Sequence, residues 1–326
     1  MRKQRSAVWV CLVASVVVLP AAVTRAYDPL VAVNDLEAVE RLSLHDLARD
    51  REMPLLVALP AIAEPAPVVL FSHGLGGSRE ACRYLREHWA SRGYVAVFLQ
   101  HPGSDSSVWQ GVPLRERRAA MQAAASPGRS RDRIGDVGFV LDALAEWNAD
   151  ASHPFAGRFD LEHVGMSGHS FGAHTTQAVS GQSGWPARNG PDPRIDAAVI
   201  FSPGSPAGMR TPKDAFGEVA IPWLLMTGTE DVAPVGNQSV ETRLAVFPAL
   251  PPGSKYELVF EGGTHAAFTD GGEQARRRNP NHHRAIQAIT TAFWDAFLRG
   301  DKDAAVWLDG DGPRSMLEAK DRWQTK

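Results

Sequence analysis

The chain has 326 residues, enough for one large domain with its own core, and its composition does not shift sharply enough to suggest two. Hydrophobic residues make up 44% and charged residues 22%, the balance of an ordinary globular protein rather than a disordered or membrane one. The formal net charge of -3 gives no reason to expect a nucleic-acid partner.

Arg2, Lys3 and Arg5 precede an apolar run from Ala7 to Leu19, followed by Pro20 and by Thr24, Arg25 and Ala26. This is the layout of an export signal, and the run is shorter than the roughly 20 apolar residues that span a bilayer. The expectation is a leader over residues 1–26, cleaved after Ala26, with an uncleaved anchor as the alternative. The mature chain, 27–326, then has no stable membrane span, is secreted or periplasmic, and keeps only Cys82, so no intramolecular disulfide forms in it.

From Val68 onward short apolar runs alternate with stretches of helical period, which predicts an α/β fold: a mostly parallel central sheet with helices on both faces. A strand at Val68–Phe71 leads into the loop His73-Gly74-Leu75-Gly76-Gly77, a helix is expected from about Ser78 to Arg92, and a strand from Tyr94 to Leu99. The stretch from Pro102 to Arg131 is long for a simple connection; it is expected to hold a short helix or to shape a site entrance. The run Arg115 to Arg118 reads as a solvated surface. A helix is marked by Ile134, Val137, Val140, Leu141, Leu144 and Trp147 at three- and four-residue steps. Further strands are expected at Val164–Ser167, Ala197–Phe201, Pro222–Met226 and Tyr256–Phe260, and a closing helix over about Arg284–Leu298.

A serine hydroxyl is a poor nucleophile at neutral pH, so acyl transfer needs it exposed, beside a base, and near donors that stabilise an oxyanion. Gly168-x-Ser170-x-Gly172, between an apolar strand and a helical stretch, is the pattern of a sharp turn that projects such a serine. In the chain order of this arrangement the base follows the nucleophile and the acid, which leaves His265, His282 and His283. His265 is preferred because it follows the last strand directly in a glycine-rich loop; His282 and His283 read as surface or capping residues at a helix start. The carboxylate is expected in the loop after Pro222–Met226, with Asp231 preferred and Glu230 the runner-up. The backbone N–H groups of Phe171 and Leu75 are the expected oxyanion donors. This chemistry needs no cofactor and no metal. His169 and His174 lack a metal-ligand pattern and read as packing around the turn. Trp109, Trp185 and Trp223 read either as acyl-pocket walls or as core.

Taken together, Phe71-Ser72-His73-Gly74-Leu75-Gly76-Gly77, Gly168-His169-Ser170-Phe171-Gly172, Thr227-Gly228-Thr229-Glu230-Asp231 and Gly263-Thr264-His265 resemble the predicted dienelactone hydrolase group of the α/β-hydrolase superfamily, related to the platelet-activating factor acetylhydrolases. The resemblance runs from about Val68 to Leu298. It implies a triad of Ser170, Asp231 and His265, with Leu75 and Phe171 as oxyanion donors. Dienelactone hydrolases proper use cysteine where this chain has Ser170, and Ala173 replaces a second glycine often found after the turn. The expected substrate is an ester, small-molecule, lipid or polymer, with a short-chain acyl ester preferred. The alternatives are a cutinase-like polyester hydrolase, a serine peptidase, and a non-catalytic binding protein on the same fold.

Overall fold

The computed structural model describes residues 26–184, 190–206, 211–270 and 279–326. All but the last residue of the expected leader lies outside these, as does Trp185. In chain order the elements are β1 (Leu36–Asp46), β2 (Arg51–Pro60), β3 (Ala66–Ser72), α1 (Arg83–Ser91), β4 (Val95–Leu99), α2 (Leu114–Ala124) and α3 (Pro127–Ala149). They continue with β5 (Phe159–His169), α4 (Phe171–Ser180), β6 (Ala197–Phe201), α5 (Pro212–Phe216), β7 (Trp223–Glu230), α6 (Val240–Leu244), α7 (Val246–Ala249) and β8 (Lys255–Thr264). The last are α8 (Pro280–Leu298), α9 (Lys302–Asp309), α10 (Gly312–Met316) and β9 (Arg322–Thr325). No described helix is long and apolar enough to cross a membrane.

The strands form one sheet in the order β1-β2-β4-β3-β5-β6-β7-β8-β9. The six from β4 to β8 in that order run parallel, and β1, β2 and β9 are joined antiparallel at the two ends. Both faces of the inner strands are covered, so these strands read as unbroken apolar runs whose side chains divide by parity. Val68 and Leu70 of β3 enter the core beneath α3 with Val140 and Leu144, while Val69 and Phe71 enter the opposite core with Trp89 and Trp294. Trp89 of α1 meets Trp294 of α8 edge to face, with ring centroids 6.0 Å apart. Gly165 of β5 is required below them, because a Cβ there would stand 2.8 Å from Trp294 Cζ3.

Several boundaries differ from those expected. The first helix begins at Arg83, not near Ser78, because Cys82 takes a left-handed conformation (φ 56°) that a continuous helix cannot contain. The closing helix starts earlier than expected, at Pro280, where the Asn279 side chain accepts from Asn281 N–H as its cap. His282, expected as a surface or capping residue, is instead buried, its ring stacked on Phe260 at 4.2 Å. The β1–β2 hairpin, α5, α6, α7, α9, α10 and β9 lie outside the expected elements.

Glu257 of β8 is 2% exposed and faces Gln324 of β9. Burial pushes its pKa up to about 7, against the opposing pull of Gln324, Arg322 and Lys326. A carboxyl whose folded pKa lies above its unfolded value destabilises the fold as pH rises from the unfolded value toward 7, by on the order of 3 kcal/mol once fully ionised. Glu257→Gln is therefore expected to raise the Tm at pH 8 while leaving it nearly unchanged at pH 4, as measured by calorimetry. A Tm difference equal at both pH values would show that Glu257 does not carry the pH dependence.

Candidate active site

The sheet register brings the named side chains together. Ser72 of β3 pairs with Gly168 of β5, so the loop that leaves β3 lies against the turn that leaves β5. Glu230 of β7 pairs with Thr264 of β8, which sets Asp231 and His265 side by side as the two chains leave the sheet. Gly228 permits that approach: a Cβ there would lie 2.1 Å from Gly263 O.

Ser170 stands between β5 and α4 with φ 58° and ψ -112°, a conformation that non-glycine residues rarely adopt. The flanking glycines are what make the turn possible. A Cβ on Gly172 would fall 1.9 Å from Ser72 O, and one on Gly168 would fall 2.3 Å from Gly172 O. Both contacts are with backbone, which cannot step aside. Ser170 N–H donates to Phe201 O at 3.0 Å and ties the turn to the end of β6.

His265 bridges the other two groups. Its Nε2 is 2.9 Å from Ser170 Oγ and its Nδ1 is 2.7 Å from Asp231 Oδ1. Asp231 is fully buried; its Oδ2 accepts from Thr227 Oγ1 at 2.9 Å. Burial pushes the Asp231 pKa up, but the hydrogen bond with His265 and the charge of Arg243 outweigh it and hold the carboxyl below its ordinary value. An ionised Asp231 fixes the His265 proton on Nδ1 and leaves Nε2 free to accept one from Ser170. Glu230, the alternative acid, is exposed and turned to solvent.

Arg243 of α6 was not singled out from the sequence. It is 1% exposed, and its Nε lies 2.7 Å from Asp231 O and 3.1 Å from Asp231 Oδ1. Its Nη1 donates to Ser202 O at 2.7 Å and Pro203 O at 3.0 Å. It thereby supplies the counter-charge for Asp231 and fastens the ends of β6 and β7 together. The only local signal in the sequence is the capping box of Ser239 and Thr242 that opens α6.

His169 Nε2 lies 3.1 Å from His265 O and so carries the proton it donates there. Burial, with the neighbouring His265 and Arg243, lowers its pKa to about 3, so the ring is a neutral brace for the His265 backbone. His174, likewise neutral with its pKa lowered to about 4 mainly by burial, lines the cavity in front of Ser170.

That cavity has a volume of about 840 Å³ and reaches Ser170, His265, Leu75 and Phe171. Its far wall comes from the 102–131 stretch, which holds α2 and the first turn of α3. Trp109 Nε1 donates to Gly76 O at 2.7 Å, and Met121 packs so close to Gly76 (φ 71°) that a Cβ there would be 2.7 Å from Met121 Cε. Trp109 lines the cavity, whereas Trp223 is core, with its Nε1 donating to Ser180 O at 3.2 Å. Arg115, Glu116 and Arg118 are exposed, and Arg117 lies over the Trp109 ring at 5.4 Å. Phe171 N–H is the first of α4 and has no acceptor one turn back. Leu75 N–H makes no hydrogen bond among the described residues. The arrangement can take a proton from Ser170, hold the resulting imidazolium against Asp231, and offer free N–H groups beside the serine.

The model of the family described as platelet-activating factor acetylhydrolase, isoform II, matches residues 57–127. The matched span runs from β2 to the first residue of α3. It includes Leu75 and the cavity wall of Trp109 and Met121, and stops short of Ser170, Asp231 and His265. No curated protein matches the chain. With its mostly parallel sheet between helices, the match supports a platelet-activating factor acetylhydrolase-like group of the α/β-hydrolases for this chain, and with it a hydrolase acting on esters.

Proposed function

We propose that residues 27–326 form a single-domain serine carboxylic ester hydrolase, exported by the leader and acting on short-chain acyl esters. The observation that carries this reading is His265 held between Asp231 at 2.7 Å and Ser170 at 2.9 Å. His265 removes the Ser170 proton as Oγ attacks the ester carbonyl, and the N–H groups of Leu75 and Phe171 receive the oxyanion. The imidazolium then protonates the departing alcohol. Water, deprotonated by the same ring, releases the acid from the acyl-enzyme.

Trp109 and Met121 line the cavity in front of Ser170 and give it an apolar wall, which supports a small acyl ester as substrate. The test is hydrolysis of p-nitrophenyl esters from acetate to long acyl chains, with a fluorophosphonate label located by mass spectrometry. Labelling on the Ser170 peptide is expected, with activity greatest at short chains. Met121→Ala is expected to shift the kcat/KM preference toward longer chains by about tenfold, the scale of one or two methylenes in an apolar pocket. Label on another peptide, or no hydrolysis of any ester, would remove the reading.

A further inference from the structure

Arg133 of α3 is a charged side chain with 0% exposure, and the mechanism above makes no use of it. Its Nη1 donates to His73 O at 2.7 Å and to Ser72 Oγ at 3.3 Å, ahead of Leu75 in the loop. Its Nε donates to Ser104 Oγ at 2.8 Å, and Ser104 O in turn accepts from Gly76 N–H at 2.9 Å, just after Leu75. The same guanidinium lies over the Phe171 ring, 4.5 Å from its centroid. Phe171 is the residue whose N–H is the second donor. Burial lowers the Arg133 pKa only to about 9, so it stays charged at neutral pH.

The His73 ring completes the brace. Its Nε2 accepts from His101 N–H at 3.1 Å, so its proton sits on Nδ1, which donates to Gly74 O at 2.7 Å. Burial, reinforced by the Arg133 charge, holds the His73 pKa well below its ordinary value and keeps the ring in this neutral form. Gly74 C=O and Leu75 N–H belong to one planar peptide, so fixing the carbonyl fixes the direction of the donor.

From these contacts we infer that Arg133 is the positioning residue for both oxyanion donors, a single buried guanidinium that sets the Leu75 peptide from both sides and the Phe171 side chain from above. The inference rests on the serine hydrolase reading. Its consequence is that the oxyanion site is aligned before substrate arrives, with no reorganisation left for the reaction step.

The test compares two inhibitors on the wild type and on Arg133→Lys. An alkyl trifluoromethyl ketone accepts Ser170 Oγ at its carbonyl carbon, the serine proton passes to His265, and the new oxyanion needs the two N–H groups. The matching secondary alcohol fills the same cavity but can form no adduct. Arg133→Lys keeps the charge and loses the fork; it is expected to lower kcat roughly 10²-fold, the effect of displacing a group by about 1 Å, with KM within about threefold. Affinity for the ketone should fall by the same factor as kcat, and affinity for the alcohol should stay within about threefold. Unchanged kcat, a kcat loss with unchanged ketone affinity, or an equal loss for both inhibitors would each overturn the inference. Should Arg133→Lys not fold, Phe171→Leu carries the test: it removes the ring beneath the guanidinium while keeping the N–H, and the ketone must weaken by more than the alcohol for the inference to stand. A wild-type protein that forms no ketone adduct removes the hydrolase reading itself, and this inference with it.

Discussion

Ser170→Ala is expected to reduce kcat for ester hydrolysis by roughly 10⁶-fold, the scale seen when a serine nucleophile is deleted from an otherwise intact site. The substitution removes one hydroxyl from a turn whose backbone is already held by Gly168, Gly172 and the Phe201 carbonyl, so the fold has no reason to change. Near-ultraviolet circular dichroism and Tm should match the wild type, and binding of the unreactive alcohol should persist. Because Ser170 and His265 act as one unit, adding His265→Ala should cost little more. Retained hydrolysis in pure Ser170→Ala would mean that another group attacks the ester.

Asp231→Asn is expected to lower kcat by about 10⁴-fold, the effect of reversing the tautomer of the base. An asparagine presenting its NH₂ to Nδ1 leaves the His265 proton on Nε2, facing Ser170, where it blocks the transfer that begins the reaction. The change also strands Arg243, whose guanidinium is buried with Asp231 as its counter-charge. Removing one member of such a pair costs about 3–5 kcal/mol, so this variant, unlike Ser170→Ala, should also lose stability. Acid should narrow the difference. The Asp231 pKa is lowered in the fold, so its stabilisation is present above the ordinary carboxylate value near 4 and is lost as pH falls through the folded value. Chemical denaturation of both proteins at pH 7 and pH 3 checks this; a stability gap that does not shrink at pH 3 would assign the loss to packing instead of charge.

The parts of the fold readable from sequence were those with a strong local cause. The turn at Ser170 was visible because an apolar strand, two glycines and a helical stretch follow one another within a few residues. His265 and Asp231 could be named because each lies just beyond a buried strand. The β1–β2 hairpin was not visible, since β2 is buried on both faces and interrupted by Pro54, while β1 carries charges among its apolar positions. Arg243 and Arg133 are not legible in the sequence for another reason. A buried arginine has no sequence signature distinct from a surface one, and the carbonyls that hold these two come from segments up to 60 residues away. The start of α1 is not legible because no local residue pattern announces the left-handed backbone at Cys82.

The two ends of the sheet bear on how copies of this protein meet one another. An edge strand with unpaired backbone groups is a template for strand addition between molecules. Here one edge is β1, where Glu37, Glu40, Arg41 and His45 are exposed and Arg41 is drawn toward Glu80 by an ion pair of 2.8 Å. The other is β9, four residues long, with Arg322 and Thr325 exposed and Gln324 engaged with Glu257 of β8. A second chain pairing at either edge would have to strip water from charged side chains for little apolar contact. The apolar inner strands, which would aggregate readily if uncovered, are thus fenced at both margins by short or charged neighbours.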